Sequence, residues 1–214
     1  MKGYKVFNPD WTCRGYQFEV GKTFTEYVTP VCYERGFHFC TKATDCFTYY
    51  AFTPNNKVAE VEALGDIDTD LYGSRCSTNK IHIIREITWY EVLNLVNYGK
   101  ACTGFCNSGD YNSGNFNSGD WNMAHFSNGC FNTESPKIFL FNKPSDWTYQ
   151  DWLSSSARLI MTGCPSNILI YAQEWWDSLT KKKKDIVMSL PNFDKYIFRK
   201  ITGINVNKFV GKKG

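Results

Sequence analysis

The chain has 214 residues, 43% of them apolar and 21% charged, which is the balance of a folded globular protein and not of a disordered one. No run approaches the ~18 consecutive apolar residues of a membrane-spanning helix. The start, Met1-Lys2-Gly3-Tyr4-Lys5, has no apolar signal-peptide core, so a cytoplasmic protein without a membrane partner is expected. The net charge of +3 conceals an asymmetry. Residues 1–135 hold 11 Lys/Arg against 15 Asp/Glu, and residues 136–214 hold 13 against 6. A basic C-terminal third predicts an anionic partner, either nucleic acid or an acidic protein surface; a solubilising surface is the plain alternative.

Nine cysteines occur: Cys13, Cys32, Cys40, Cys46, Cys76, Cys102, Cys106, Cys130 and Cys164. Their odd number and the absent export signal point to buried thiols and not to a disulfide framework. Cys32, His38, Cys40 and Cys46 fall within 15 residues. Yet no CxxC pair occurs to close a zinc-binding hairpin, so no metal is expected.

In chain order the sequence predicts an α+β protein in three parts. Residues 1–98 read as a mixed α/β domain. Tyr4–Phe7, Tyr16–Val20 and Phe37–Phe39 are short aromatic and β-branched strands. Lys57–Leu64 alternates, with Ala59, Val61 and Ala63 on one face and Glu60 and Glu62 on the other. Lys80–Ile87 should place Ile81, Ile83 and Ile87 together. Ala43–Tyr50 reads as a short helix and Asp66–Ser77 as a loop. Thr88 with Glu91 predicts a capping box opening a helix that runs toward Gly99.

Residues 99–135 carry a five-residue period. Cys106, Tyr111, Phe116, Trp121, Phe126 and Phe131 recur at that spacing, a glycine or alanine stands two positions before each, and Asn follows all but Phe126. Five matches neither the helical nor the strand period, so a short β-solenoid is expected. The segment resembles the pentapeptide-repeat family, which implies square coils of four pentads with the central side chain inward. Tyr111 and Trp121 are candidate partner-binding residues if this face is exposed.

Residues 136–214 read as a basic helical bundle. Thr148 with Asp151 predicts a cap for one helix carrying Trp152, Leu153, Leu159 and Ile160. Further helices are expected over Ile168–Leu179, from Thr180 to before Pro191, and from Asp194 to Gly203, packed on Trp152, Trp175, Trp176, Phe193 and Phe198. Lys181, Lys182, Lys183 and Lys184 occupy a first helical turn, where cations face the positive end of the macrodipole. Phosphate contact would explain the placement, and a solvated surface turn is the alternative. Arg199, Lys200, Lys208, Lys212 and Lys213 add to the basic character.

No GxSxG, Walker A, HExxH or Rossmann signature is present, so no cofactor is expected and binding is favoured over catalysis. Cys13 beside Arg14 is a candidate activated thiol. His38, Tyr49 or Tyr50, and Glu62 form a set similar in type and order to that of ADP-ribosyltransferase-like folds. That similarity implies NAD chemistry; a hydrogen-bonded core histidine is the other reading of His38.

Over nearly its full length the chain resembles a group of phage and prophage proteins of Gram-positive bacteria. The shared features are Gly3–Asn8, Cys13–Gln17, Gly36–Cys40, Val61–Gly65, the Asn-Ser-Gly-Asp pentads, Leu190–Asp194 and Ile201–Ile204. The resemblance implies an accessory protein of a mobile element. The expected role is binding a host protein or ribonucleoprotein as an inhibitor of a defence nuclease, in the manner of an anti-CRISPR. Nucleic-acid binding through the basic third is the further alternative, and the oligomeric state stays open.

Overall fold

The computed structural model describes residues 1–70, 73–165 and 168–207, with nothing said of the side chains of 168–170. The chain divides into two compact units, Met1–Thr133 and Glu134–Gly214. Among the described residues no helix is long and apolar enough to cross a membrane.

The first unit contains β1 (Lys2–Phe7), β2 (Thr12–Cys13), β3 (Tyr16–Gln17), β4 (Thr23–Thr25), β5 (Phe37–Cys40), α1 (Ala43–Cys46), β6 (Lys57–Ala63), β7 (Ile67–Thr69), β8 (Arg75–Thr78), β9 (Lys80–Glu86) and α2 (Trp89–Val96). Seven of the strands form one antiparallel sheet in the order β4-β9-β6-β1-β5-β8-β7, and β2 and β3 make a separate hairpin. Strand alternation builds two cores. Phe7, Phe39, Val61 and Ile83 join Phe18 and Phe37 in one cluster. Val6, Cys40 and Val58 join Ala43, Val92 and Val96 of the two helices in the other.

Three expectations change. Residues 66–77 are not wholly a loop, because β7 and β8 pair there and β8 pairs with β5 through Phe37↔Thr78 and Phe39↔Cys76. That pairing is non-local and leaves no local signal. The strand expected over Tyr16–Val20 is only β3, turned back on β2. Ile87 packs with Val58 and Val92 instead of with Ile81 and Ile83. A bulge opposes Glu60 to Arg85 and Val61 to Ile83, and the extra residue turns the strand end over.

β1 and β5 touch at one place. Their only paired residues are Tyr4 and Cys40, although both strands continue beyond them. Gly3 permits the approach, since a Cβ there would lie 2.5 Å from the Cys40 carbonyl oxygen. Past that contact the ladder between them stops.

The capping box of α2 forms as expected, with Glu91 N donating to Thr88 Oγ1 and Thr88 N to Glu91 Oε2. Beyond Val96, Asn97 opens the repeat: its amide donates to Leu93 O and Gly104 O, and its Oδ1 accepts from Asn107 N. The same pattern recurs every ten residues. Asn107 Oδ1 accepts from Asn117 N, and Asn117 Oδ1 from Ser127 N. On the other side Asn112 Oδ1 accepts from Asn122 N, and Asn122 Oδ1 from Asn132 N. Backbone bonds such as Ser108 N to Asn117 O and Tyr111 N to Lys100 O complete the stack.

The expected square coil is therefore corrected: two pentads, not four, make a turn, and asparagines fill it. A ten-residue turn encloses room for amides and none for rings. Asn107, Asn112, Asn117 and Asn122 are buried, while the aromatics occupy corners with left-handed backbone, Tyr111 at φ 58° and Trp121 at φ 60°. The rings stack outside, Tyr111 on Trp121 at 4.2 Å and Phe116 on Phe126 at 5.1 Å. A Cβ at Gly114 would meet Ala124 O at 1.7 Å, so glycine sets the spacing between turns.

The second unit holds β10 (Lys137–Leu140), β11 (Lys143–Thr148), α3 (Tyr149–Ser154), α4 (Ser156–Met161), α5 (Ile168–Ser178), α6 (Lys181–Met188) and α7 (Lys195–Thr202). The β10–β11 hairpin precedes the helices of this mainly helical unit and was not expected. The single helix expected after Thr148 is two, separated at Ser155, which is extended (ψ 144°) and caps α4 by accepting from Arg158 N. The caps at Thr148, Thr180 and Asp194 and the left-handed stop at Gly203 form as expected. Trp176 and Phe198 are buried, with Trp152, Trp175 and Phe193 packed around them.

Replacing Asn117 by Ala strips partners from Ser127 N–H and the Ala124 carbonyl inside the stack. At ~1–3 kcal/mol for each buried group left unsatisfied, urea unfolding should show a loss of about 2–6 kcal/mol. The exposed Asn128→Ala should stay within about 0.5 kcal/mol of wild type. Equal effects of the two substitutions would show that the amide ladder does not hold the repeat.

Candidate functional site: a cationic cavity beside the parted strands

Where β1 and β5 cease to pair, a cavity of about 580 Å³ is lined by Lys5 and Val6 from one strand and Phe37–Cys40 from the other. The β2–β3 hairpin, the 32–36 turn, Tyr49, Tyr50 and Arg75 complete its wall. Four basic side chains line it, Lys5, Arg14, Arg35 and Arg75, against two carboxylates, Glu26 and Glu34, and Arg75 is also within 3.9 Å of Asp70.

Lys5 is only 6% exposed. Its ammonium donates 2.7 Å to His38 O on the parted strand and lies 3.6 Å from Cys13 Sγ. It also sits 5.5 Å from the ring centres of Phe7 and Phe18. Among the described residues no carboxylate pairs with it. Tyr50 donates its hydroxyl to the same sulfur at 3.1 Å, and burial followed by that hydrogen bond raises the phenol well above its usual range.

His38 lines the same wall, and its Nε2 is buried without a hydrogen-bond partner. Burial first, then the charges of Lys5 and Arg14, lowers its pKa, so the imidazole is neutral at pH 7. The proton favours the unfolded chain. The stability from burying the neutral ring is complete above the unfolded value of about 6.5 and is lost as pH falls through the lower folded value.

At another part of the wall, Tyr33 donates to Asp70 Oδ2 at 2.6 Å and accepts from Arg75 Nη1 at 2.6 Å. The Arg75 guanidinium lies 5.4 Å from the Tyr33 ring centre and 5.0 Å from that of Tyr49. Both rings are about half exposed. Tyr33 holds this position on a left-handed backbone (φ 76°) in the turn closed by Arg35 N and Val31 O.

Of the residues singled out from sequence, His38, Tyr49 and Tyr50 come together here and Glu62 does not. Glu62 stands on β6, paired with Lys2 and His82, and β1 separates its strand from β5. The transferase-like set is thus not assembled. Cys32, His38, Cys40 and Cys46 also share the wall. Among the described residues no group of three or more His, Cys, Asp or Glu is placed to hold a metal ion. Lys5, Tyr33 and Arg75 were missed because only the strand order brings them together.

The partner-binding candidates lie elsewhere. Tyr111 and Trp121 are about half exposed in their stack. Lys181–Lys184 do occupy the first turn of α6. Lys181 lies 3.7 Å from Asp185, and Lys184 donates to Asp177 O. Arg199 and Lys200 are exposed in the last turn of α7, where the dipole favours them. Lys208, Lys212 and Lys213 lie outside the described residues.

Residues 1–95 match the family described as Domain of unknown function (DUF7666). All the residues lining the cavity fall inside that segment. No curated protein and no solved structure matches the chain.

Proposed function

We propose that the first unit binds a small anionic molecule with a flat portion, of mononucleotide size, in the cavity beside β1 and β5. The carrying observation is the concentration of four basic side chains around a half-open cavity within the ~300–1,000 Å³ range of small-molecule sites. The half-exposed rings of Tyr33 and Tyr49, with Arg75 against them, suit a planar group. Adenosine 5′-monophosphate is the direct probe. Calorimetry should show it binding at least tenfold more tightly than adenosine. Arg75→Ala should cost a further tenfold, the scale of one charged hydrogen bond at about 1.5–3 kcal/mol. Equal affinities for nucleotide and nucleoside, or no binding of either, would contradict the anion reading.

The exposed stack of Tyr111, Trp121 and Phe131 supports a second, macromolecular contact, since open aromatics make strong interface anchors. We infer that this face of the short solenoid-like repeat engages a protein or ribonucleoprotein, in keeping with a mobile-element inhibitor of a host defence nuclease. In a pull-down from nuclease-treated bacterial lysate, a stoichiometric partner should be retained by wild type and lost by Trp121→Ala. A partner seen only without nuclease treatment would favour direct nucleic-acid binding instead.

A further inference from the structure

Cys13 ends β2, immediately before a left-handed turn at Arg14 and Gly15 (φ 50° and 78°) that sends the chain back along β3. Half-buried, it lies on the cavity wall, and two donors converge on its sulfur, Lys5 Nζ and Tyr50 Oη. Lys5 has no carboxylate among the described residues, and its other acceptor, the His38 carbonyl, is neutral. Cys13 is therefore the ionisable acceptor that faces a buried ammonium. Disulfide exchange starts from the sulfur as nucleophile, and an ammonium and a phenol both donate to this one sulfur.

The neighbouring thiols are placed differently. Burial raises Cys32 and pushes Cys76 up to about 11. Cys46, through its hydrogen bond to Cys40 and its burial, lies well above the usual thiol range. Cys40 is lowered by that hydrogen bond but is only 4% exposed. His38 lies on the same wall.

We propose that Cys13 is a reactive thiol that exchanges with a low-molecular-weight disulfide bearing carboxylate groups, bound in this cavity. The choice of an anionic disulfide rests on the anion-binding reading above. In the exchange, the Cys13 thiolate attacks one sulfur of the disulfide. A new bond forms between Cys13 Sγ and that sulfur, and the original S–S bond breaks. The departing thiolate carries away the electron pair and takes up a proton equivalent to the one Cys13 released. One thiol is consumed and one appears, with the small disulfide as oxidant.

Two aromatic disulfides test this on the full chain: the dianionic 5,5′-dithiobis(2-nitrobenzoate) and the neutral 4,4′-dithiodipyridine. Each rate is normalised to that of reduced glutathione. One fast-reacting thiol is expected with both reagents, mapped to Cys13 by mass spectrometry and absent in Cys13→Ser. Tyr50→Phe and Lys5→Met should each slow it at least tenfold; Tyr50→Phe keeps the Lys5 ammonium and its bond to the His38 carbonyl. The normalised rate should favour the dianionic reagent about tenfold. A fast phase on the exposed Cys130 or on Cys40, or rates unchanged in both Tyr50→Phe and Lys5→Met, would overturn the proposal. A fast Cys13 without charge preference would overturn the anionic disulfide and the cavity reading behind it, while upholding the reactive thiol.

Discussion

A buried ammonium between two strands that no longer pair is the constraint on which the first unit turns. An isolated lysine charge taken out of water costs several kcal/mol unless acceptors surround it. Lys5 meets that requirement with a carbonyl from the opposite strand, a sulfur and two aromatic faces. The arrangement requires β1 and β5 to stay apart, because a continuous ladder would claim the His38 carbonyl for itself. The gap then follows, and with it the cavity, the positive field at His38 and the two donors at Cys13. Gly3 sets where the parting begins by permitting the Tyr4↔Cys40 contact.

The repeat obeys a different rule of burial. Its interior is polar, and it is stable only because each amide is satisfied twice, once to the next turn and once to a carbonyl seven residues on. A half-satisfied polar core would be worse than an apolar one, so the ladder tolerates little substitution. Asn97 anchors the first rung to the end of α2, and Phe105 packs against Phe52 of the neighbouring cluster. The aromatics, excluded from so narrow a turn, form a column on the outside. Backbone bonds from the N–H groups of Tyr111, Trp121 and Phe131 keep the residues of that column in register from turn to turn.

What could be read from the sequence divides along the range of the interactions. Helix caps at Thr88, Thr148, Thr180 and Asp194 are contacts over two to three residues, and all were legible. Strands β7, β8, β10 and β11 escaped notice because partners far along the chain or hidden by charged and turn residues stabilise them. The five-residue period was plain, yet the rule that apolar side chains go inside assigned its faces wrongly. In the cavity, His38, Tyr49, Tyr50 and Cys13 stood out by residue type. Glu62 was misplaced and Lys5, Tyr33 and Arg75 were missed, since the strand order β6-β1-β5-β8 separates the first and gathers the others.

The central claim is that the Lys5 ammonium and the His38 imidazole face one cavity. The most direct measurement is the pH titration of the His38 ring by nuclear magnetic resonance in wild type and in Lys5→Met. Burial first, and then the nearby cation, disfavours the protonated ring, so the wild-type midpoint should lie below the ordinary value of about 6.5. It should rise toward that value in Lys5→Met, with burial keeping it somewhat low. A wild-type midpoint at or above 6.5, or one that Lys5→Met leaves in place, would contradict the account.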